Sequence, residues 1–527
     1  MSKRSKALVA AGLAAAMCLS MGQYAMASEG TASSVTIGVS VDWSDISPFG
    51  TVSNGRTAVR YTFYEYMAVR KDFGAELEDM ELECAKEITK VDDLTYDVEM
   101  YDYITDSEGN AITAADYAWA ATEMKETGNY EKINSYLDSV TAIDDYTVEI
   151  KLTDNPLGTI EYILDVVPVI SQAAYEASGD GMATKPVTTA AYSVQEMIPG
   201  STLTLVKNEN YWQTDDSVRS VVSTQNVDTI VYKVVTEATQ MATALQTGEI
   251  DVAHYLDTSV LSMFYADGTV TSGYQVDELN SNVMYSILPN MSENSILSQS
   301  AELREAIYYA IDASSCMIAA TGGYGTTLSA MANPLSGDYD DAWDERDYYE
   351  YNVETAQAKL AESGVDVSGV TLKILTLPTN NLDKVAQVIQ AELLQIGINS
   401  EIVAVEDALY QTYKLDDTQF DLILDIKGTD DYVTFPWSLL FDNRSFDGGV
   451  TANFIADDEL QSLLETVLSP DTHSQESVDA FESYLEENAY CYGLYTGNVY
   501  VVAREGVISS FDYMKGSYLL PGCCVYE

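Results

Sequence analysis

VTLKILTL (370–377), LDKVAQVIQAELLQIG (382–397), NSEIVAV (399–405) and FDLILDI (420–426) follow one another in the second half of the chain. The first, third and fourth segments are short runs rich in Val, Ile and Leu, which predict strands, whereas the second carries apolar residues at helical spacing. A second, shorter helix is expected before the last strand. This alternation of strands and helices predicts a largely parallel sheet and therefore an α/β fold.

The end of the last predicted strand is the first candidate for a binding site. Open parallel sheets bind their ligands beyond the carboxyl ends of the strands. FDLILDI is followed there by KGTDDY (427–432). We therefore expect Asp430, Asp431 and Tyr432 to project into whatever cleft this half of the chain contributes to.

Two further segments predict helices with defined ends. In ALQTGEIDVAHYLD (244–257), helix-favouring residues end at Gly248, which accepts the left-handed conformation, and a short strand is expected from Ile250 to Ala253. In SAELREAIYYAID (300–312), apolar residues fall on one helical face and Ser300 can cap the first turn.

The first half of the chain mixes short strands with helices. SVTIGVSVDW (34–43), LTYDVEM (94–100) and YTVEIKL (146–152) alternate as strands do, and Thr113 begins a helix between the last two. No linker rich in Gly, Pro or Ser separates these regions, so the parts of the chain should be closely joined.

The composition excludes several classes of protein. The chain has 527 residues, of which 46% are apolar, and this length allows about three domain-sized units of about 150 residues. The formal net charge is −57. A field of that sign repels nucleic acid and anionic lipid headgroups, so neither is predicted as a partner. It would favour cationic or zwitterionic ligands, although an acidic surface that serves solubility explains most of these carboxylates.

The first 27 residues resemble a targeting segment. A basic start (3–6) precedes an apolar run, and the residues Ala, Met and Ala at 25–27 fit a small-x-small cleavage site. We expect export and a mature chain that begins near Ser28. Cys18 in the apolar run is either a lipidation site or a cysteine that is removed with the signal. No downstream run of about 18 apolar residues predicts a membrane span.

Catalytic and metal-binding motifs are missing from the sequence. It has two histidines, His254 and His473, so an H-E-x-x-H zinc helix cannot form, and neither a G-x-S-x-G elbow nor a phosphate-binding loop is present. The acidic run GDYDDAWDERD (337–347) lacks the glycine at the sixth position of an EF-hand loop. The five cysteines that follow the signal show no C-x-x-C spacing. No enzyme activity, cofactor, metal site or disulfide framework is therefore predicted.

Five spaced segments together resemble the motifs of one protein family, in the correct order. They are TDSEGNAITAADYAWA (105–120), TTAAYSVQEMIPGSTLTLVKNENYW (188–212), ALQTGEIDVA (244–253), ELREAIYYAID (302–312) and NVETAQAKLAESG (352–364). The chain thus resembles the extracellular solute-binding proteins of ABC importers, in their oligopeptide, dipeptide and nickel branch. Two departures stand out: residues 188–191 lack the glycines of the family motif, and Gly428 stands where the family has tryptophan.

The resemblance implies a fold and a division of the chain. The fold is a two-lobe, periplasmic-binding-protein-like (Venus flytrap) α/β architecture with an extra domain inserted in the first lobe. Lobe I would comprise residues 28–56, 185–279 and 505–527, with the inserted domain at 57–184. Lobe II would comprise residues 280–504.

The resemblance also implies one ligand contact. In oligopeptide binders an aspartate of the D-Y motif meets the α-amine of the peptide. Carried over to this sequence, that residue is Asp431, or Asp430 if the register shifts by one. The alternative for Asp431 is a solvated loop acid without a ligand role.

Further candidate contacts come from residue type and position. Arg444 could bind a ligand carboxylate, because arginines are scarce and this one is flanked by loop residues, or could form a surface ion pair with Asp442 or Asp447. Three aromatic residues could stack on ligand groups or could instead pack within the lobes. They are Tyr432, Trp437 and Trp43.

By this resemblance the protein is the substrate-binding subunit of an ABC importer, which captures di- or oligopeptides between closing lobes and delivers them to a membrane permease. The expected partners are a small solute and the permease and ATPase complex, with membrane contact only through the permease or a lipid anchor. We expect a monomer located outside the cell, at its surface or in the envelope space. The alternatives are the same role with a metal chelate, glycoside or amino-acid derivative, a signalling receptor, or a secreted hydrolase.

Overall fold

The computed structural model describes residues 34–43, 45–50, 57–266, 268–429, 431–445, 451–510 and 520–526. The predicted signal segment, Cys18 and Asp430 lie outside the described residues. In the described part of the chain, no helix combines the length and the apolar character needed to cross a bilayer.

Strands and helices alternate along the described chain. The strands are β1 (Ser34–Val39), β2 (Ala68–Val69), β3 (Glu81–Leu82), β4 (Ala85–Asp92), β5 (Thr95–Met100), β6 (Leu137–Ala142), β7 (Thr147–Leu152), β8 (Tyr192–Ile198), β9 (Thr202–Lys207), β10 (Thr229–Val234), β11 (Val252–Ala253), β12 (Tyr265–Ala266), β13 (Thr269–Val270), β14 (Tyr274–Pro289), β15 (Gly325–Thr327), β16 (Thr371–Thr376), β17 (Asn399–Ala404), β18 (Leu422–Gly428), β19 (Tyr492–Arg504), β20 (Val507–Ser510) and β21 (Leu520–Tyr526). The α-helices are α1 (Thr57–Arg60), α2 (Ala114–Thr127), α3 (Glu131–Tyr136), α4 (Thr159–Val166), α5 (Gln172–Ser178), α6 (Ala238–Thr247), α7 (Thr258–Leu261), α8 (Ala301–Tyr309), α9 (Ala313–Thr321), α10 (Val353–Ser363), α11 (Leu382–Gln395), α12 (Asp407–Tyr413), α13 (Thr434–Phe441), α14 (Asp458–Leu468) and α15 (Gln475–Glu487).

Among the described residues, eleven strands form one mixed sheet. Its path is β17-β16-β18-β14-β19-β11-β1-β10-β9-β8, and β15 pairs with β19 off this path. The predicted series of strands and helices is confirmed, because β16 pairs in parallel with both β17 and β18. The prediction of a largely parallel sheet is wrong for the sheet as a whole. The long strands β14 and β19 come before and after that series in the chain, and they pair antiparallel with their neighbours in the sheet.

Hydrophobic clusters divide the described chain into two bodies. We call residues 34–279 together with 500–507 the first body, because their buried side chains form two clusters. Residues 284–495 form the second body, with two clusters of their own. Leu335 is an exception, since it lies in the second body but packs into a first-body cluster. The predicted lobe boundaries at 279 and 504 stay a prediction.

The two bodies are joined by the strands β14 and β19, which run through both. On β14, Asn280 pairs with Asn498 and Met284 pairs with Thr496, so the register shifts between these two pairs. A bulge of this kind interrupts the ladder and bends the strand locally. The connection between the bodies therefore lies at an irregular part of the sheet.

A second, smaller sheet lies within the first body. In the described part of the chain, its four antiparallel strands follow the order β4-β5-β7-β6. Apolar residues of this sheet, such as Val98 and Ile150, belong to the same buried cluster as Ile37 of β1. The sheet falls inside the predicted inserted domain, whose boundaries no observation tests, and it shares its core with the rest of the first body.

The predicted helix ends are confirmed. Gly248 follows α6 with φ 74°, in the left-handed region, and its N–H bonds the last turn of that helix. The side chain of Ser300 accepts a hydrogen bond from the N–H of Leu303 at the start of α8. Thr113 precedes α2 and forms a capping box with Asp116. The strand after Gly248 is shorter than predicted, since it contains only the two residues of β11.

Candidate functional site

Asp431 lies where the second body meets the first. It follows the end of β18, and only 2% of its surface is exposed. Its carbonyl oxygen accepts a hydrogen bond from the N–H of Gly337 at 2.8 Å. Two residues earlier, the N–H of Thr429 donates to the carbonyl oxygen of Asn282 on β14 at 2.6 Å. These backbone bonds fix the position of the loop that carries Asp431.

The carboxylate of Asp431 binds an arginine of the first body. Arg70 follows β2, and its Nη1 donates to Oδ2 of Asp431. Its Nε donates to Oδ2 of Asp165 on α4 at 2.7 Å. The side chains of Arg70, Asp165 and Asp431 are 10%, 1% and 2% exposed. One buried guanidinium therefore joins two buried carboxylates, and one of these belongs to the other body.

The burial of these charges makes each of them important for the stability of the fold. A buried charge without a partner carries a desolvation penalty of several kcal/mol, so removing one member of such a group is strongly destabilising. Glu161 on α4 lies close enough to respond to the group. Burial raises the pKa of Glu161, the charge of Asp431 raises it further, and Lys132 and Arg70 lower it. The meeting point of the bodies is thus a cluster of charged groups that water reaches poorly.

Glycines allow the backbones of the two bodies to touch beside this cluster. A Cβ atom on Gly74 would stand 2.6 Å from the Cα of Gly337 and 3.1 Å from the carbonyl oxygen of Asp431. A Cβ on Gly158 would stand 3.2 Å from the ring of Tyr432. Real Cβ atoms do not approach backbone so closely, so the contact between the bodies depends on glycine at Gly74 and Gly337.

Tyr432 lies in the same contact. Its hydroxyl donates to the carbonyl oxygen of Gly74 at 3.5 Å. Burial raises the pKa of this hydroxyl above its ordinary value. The ring of Tyr432 meets His473 edge to face at 5.9 Å between ring centroids. Tyr432 and Asp431 are thus the predicted site residues that the structure brings together.

Asp338 binds the backbone of the loop that carries Asp431 and Tyr432. Its Oδ1 accepts a hydrogen bond from the N–H of Val433 at 2.7 Å, and its Oδ2 lies 3.7 Å from Nε2 of His473. Burial raises the pKa of Asp338 to about 6. The carboxylate of Asp338 therefore holds the segment that follows Asp431 and Tyr432.

Trp437 lies in the core of the second body. Its side chain is 0% exposed, its ring packs against Phe481 at 4.8 Å, and its Nε1 donates to the carbonyl oxygen of Met331 at 2.7 Å. This is the packing alternative that the sequence left open for Trp437.

Arg444 lies on the surface. Its side chain is 61% exposed and binds Asp442 through two nitrogens, at 2.8 and 2.7 Å. Glu465 lies 3.9 Å away. The structure thus places Arg444 in the surface ion pair with Asp442, while Asp447 lies outside the described residues.

Trp43 and His254 lie beyond the carboxyl ends of two neighbouring parallel strands, β1 and β11. Both are buried, at 3% and 5% exposure. Trp43 packs against Tyr232 at 5.9 Å. Among the described residues, neither Nε1 of Trp43 nor Nε2 of His254 finds a hydrogen-bond partner. Burial lowers the pKa of His254 to about 4, so the ring is neutral at pH 7.

Sequence reasoning missed Arg70, Asp165 and the glycines Gly74 and Gly337. The chain has 26 basic residues against 83 acidic ones, so the sequence does not show which carboxylate pairs with a given arginine. The scarcity of arginine is the one sequence signal that applies to Arg70. It applies equally to every arginine in the chain and therefore does not single out this one. Among the described residues, no group of three or more His, Cys, Asp or Glu side chains is arranged to hold a metal ion.

Comparison with known proteins gives the family of the chain. Residues 80–447 match the model of the bacterial extracellular solute-binding proteins, family 5, middle part. The glutathione-binding protein GsiB of Escherichia coli K12 is 25% identical over 414 residues, which cover 76% of this chain and 73% of GsiB. The dipeptide-binding protein of the same strain is 22% identical over 285 residues, which cover 51% of this chain and 49% of that protein. This second match spans about half the length of the relative.

Solved structures share the fold. HbpA2 of Haemophilus parasuis superposes with a TM-score of 0.79 at 18% identity, covering 94% of this chain and 100% of that one. The oligopeptide-binding protein AppA of Bacillus subtilis, in complex with a nonapeptide, gives 0.67 at 18% identity, with 94% and 99% covered. NikA of Staphylococcus aureus, in complex with Ni(L-His)2, gives 0.63 at 16% identity, with 94% and 100% covered. The predicted two-lobe α/β fold is confirmed by these neighbours.

The family model covers more than half of the chain, and its members are periplasmic or extracellular binding proteins of transport systems and are not enzymes. The chain therefore belongs to the bacterial extracellular solute-binding proteins of family 5.

Proposed function

We propose that the cleft between the two bodies captures a peptide and that closure of the cleft presents the loaded protein to an ABC permease. In this proposal the bodies are the two lobes of the predicted division. The observation that carries it is the contact of Arg70 and Gly74 with Asp431 and Gly337, since it joins the bodies by buried charge and backbone. Ligand shifts such a protein towards the closed form if it gains contacts with both lobes there.

The hinge of this movement would be the irregular part of β14 and β19. Residues 280–283 and 496–499 connect the two bodies, and the register of the strand pair shifts there. Hinges are a few residues that absorb the change in backbone angles while the packed bodies move as units. Few residues would need to change conformation.

A peptide is the first choice of solute. GsiB and the dipeptide-binding protein are relatives whose names refer to peptides, and AppA is a structural neighbour in complex with a nonapeptide. The chain is also rich in tyrosine, with 38 tyrosines against 11 phenylalanines. Tyrosine combines apolar area with a polar tip, which suits a tolerant pocket. Tyr432 and Trp43 remain the proposed ligand contacts, and we propose that Asp431 acts through the contact between the bodies.

A non-peptide solute is the second candidate. Gly428 stands where the family motif has tryptophan, and no side chain therefore fills this position at the end of β18. A Cβ built on Gly428 meets no described atom within 4 Å. This space favours a solute of another shape, such as a metal chelate or a glycoside.

The remaining steps are proposed on the basis of the family. The signal segment would direct export, Cys18 would anchor the protein if it is lipidated, and a permease and ATPase complex would receive the monomeric loaded protein. Neither the signal segment nor Cys18 lies within the described residues.

Ligand release tests the proposal directly. Purified protein is denatured, and the released solutes are identified by mass spectrometry. The proposal expects intact peptides, which on return to refolded protein raise its melting temperature without being cleaved. Recovery of sugars or metal chelates without peptides favours the second candidate. Time-dependent cleavage of the added peptides contradicts the transport role.

A further inference from the structure

Both oxygens of the Asp431 carboxylate are engaged by the first body. Oδ2 accepts a hydrogen bond from Nη1 of Arg70, and Oδ1 accepts one from the N–H of Gly74 at 3.4 Å. The donors come from two positions four residues apart on one segment. When the two bodies are in contact, the protein itself therefore occupies both oxygens of this carboxylate.

We infer that Arg70 is the resident counter-ion of Asp431, so that the solute held in the closed cleft presents no free ammonium group to this carboxylate. The solute class is then a peptide whose amino end is blocked by acylation or by cyclisation. The alternative is a peptide that places an uncharged group, and not its ammonium, next to Asp431. This inference rests on the proposed function of the cleft, and it makes Arg70 a specificity-determining residue.

The anchoring of Arg70 makes its displacement unfavourable. Nε donates to Asp165, whose side chain is 1% exposed, and this bond fixes the plane of the guanidinium. An arginine side chain stays protonated in proteins, so Arg70 keeps its positive charge when a ligand cation approaches Asp431. A ligand ammonium at Asp431 would have to displace a guanidinium that is itself only 10% exposed and that a second carboxylate, that of Asp165, also holds.

The backbone also leaves little room for a third group. A Cβ on Gly74 would already stand 3.1 Å from the carbonyl oxygen of Asp431 and from the nitrogen of Gly337. A Cβ on Gly158 would stand 3.4 Å from Oδ2 of Asp431. An ammonium group that entered between these segments would separate the bodies, so the solute lies beside this ion pair.

Removing Arg70 should change which ligands the protein prefers, because it takes one positive charge away from Asp431. In the Arg70→Gln variant Asp431 loses its arginine partner, and a ligand ammonium is a cation that could take the place of the guanidinium. The variant should therefore acquire a preference for free amino ends. Arg346→Gln is the matched control, because it also removes a partly buried arginine from a buried carboxylate, that of Glu482, but within the second body.

The experiment compares tryptone with the same mixture after acetylation of its amines. Wild type, Arg70→Gln and Arg346→Gln are incubated with each mixture, and retained peptides are counted by mass spectrometry. One retained sequence is then measured by calorimetry in both forms. The inference expects wild type and Arg346→Gln to bind the acetylated form within about threefold of the free form, or better. It expects Arg70→Gln to prefer the free amine by tenfold or more.

The opposite pattern overturns the inference. If acetylation weakens binding to wild type by tenfold or more, the carboxylate takes its cation from the ligand and Arg70 is not its counter-ion. Equal preference in wild type and Arg70→Gln overturns it as well. Should Arg70→Gln fail to fold, Asp431→Asn replaces it, and a loss of affinity confined to free-amine peptides would contradict the inference.

A protein that retains neither mixture contradicts the peptide proposal, and the inference is then judged on the ligand-free protein. Melting temperatures are measured for Arg70→Gln, Asp431→Asn and the double variant. A resident counter-ion predicts that the double variant melts no lower than the less stable single variant. Losses that simply add would show that the two residues act independently, which overturns the inference.

Discussion

Gly337 of the second body and Gly74 of the first are in backbone contact. A Cβ on Gly337 would stand 2.6 Å from the Cα of Gly74 and 2.8 Å from the carbonyl oxygen of Phe73. The groups in the way are backbone, which cannot turn aside as a flexible side chain can. The contact between the bodies therefore tolerates no side chain at Gly337.

Gly337→Ala should prevent full closure. The backbone of Gly337 does not need a positive φ, so the methyl group acts through the clash with the other body. We expect the affinity for retained tryptone peptides to fall by tenfold or more, measured by calorimetry. Glu401→Ala, at an exposed position of β17 in the second body, is the control. Unchanged affinity in Gly337→Ala would show that the ligand does not require this contact.

Arg304→Met should destabilise the second body. Arg304 donates to the carbonyl oxygens of Leu297 at 2.7 Å, Ala489 at 3.1 Å and Asn488 at 2.6 Å. Removing the donors leaves these buried acceptors unsatisfied, which costs roughly 3–5 kcal/mol in the free energy of unfolding. Urea unfolding measures the loss, with Lys86→Gln at an exposed ion pair as the control. A loss below about 1 kcal/mol would contradict a structural role for this motif arginine.

Trp437→Phe should separate stability from binding. The change removes the donor to Met331 and leaves space beside Phe481, so we expect a loss of about 1–3 kcal/mol in the free energy of unfolding. The peptide affinity should stay within twofold of wild type. The reverse result, with affinity lost and stability kept, would assign Trp437 to the ligand.

Glu392 should make stability depend on pH. Its Oε2 accepts a hydrogen bond from the N–H of Asp312, and burial raises its pKa to about 7 from an ordinary value near 4.5. Because the folded protein binds this proton more tightly than the unfolded chain, the contribution of Glu392 to stability grows as the pH falls from about 7 towards 4.5 and is lost above pH 7.

The variant Glu392→Gln tests this dependence, because glutamine keeps an acceptor for Asp312 without a charge. We expect its melting temperature to exceed that of wild type at pH 8 and the difference to vanish near pH 5, with the exposed Glu401→Gln as control. A difference that is the same at both pH values would contradict the raised pKa of Glu392.

Local features of the fold were predictable from the sequence. The helix that ends at Gly248 and the caps at Ser300 and Thr113 depend on residues within one turn of the helix. The parallel pairing of β16 with β17 and β18 follows from short connections with a helix between strands. The sequence pattern contains these determinants within a few residues.

The arrangement of the candidate site was less predictable. Asp431 was identified through a family motif, but its partner Arg70 is 361 residues away in the chain. With 83 acidic residues available, no local pattern selects that pairing. The antiparallel pairing of β14 with β18 and β19 was missed for the same reason, because it joins segments far apart in sequence.

Residue type alone did not decide between the two roles that the sequence leaves open for Trp437. Trp437 is a candidate for stacking by residue type, and the structure places it in the core because α13 is apolar on most sides and packs among the strands, loops and helices of the second body. Burial depends on the neighbours that the fold supplies, which a single segment does not reveal.

The distance between the two bodies reports whether the ligand is captured by closure. Spin labels at Ile143→Cys and Leu394→Cys, which are 51% and 61% exposed in the first and second body, would report it by double electron–electron resonance. Cys523 and Cys524 are replaced by serine, while Cys84, Cys316 and Cys491 are buried. We predict that retained tryptone peptides shift the distribution of label-to-label distances to its shortest component. The protein should stay unmodified and the peptides intact. A distribution that stays the same while the peptides bind would contradict capture by closure of the two bodies.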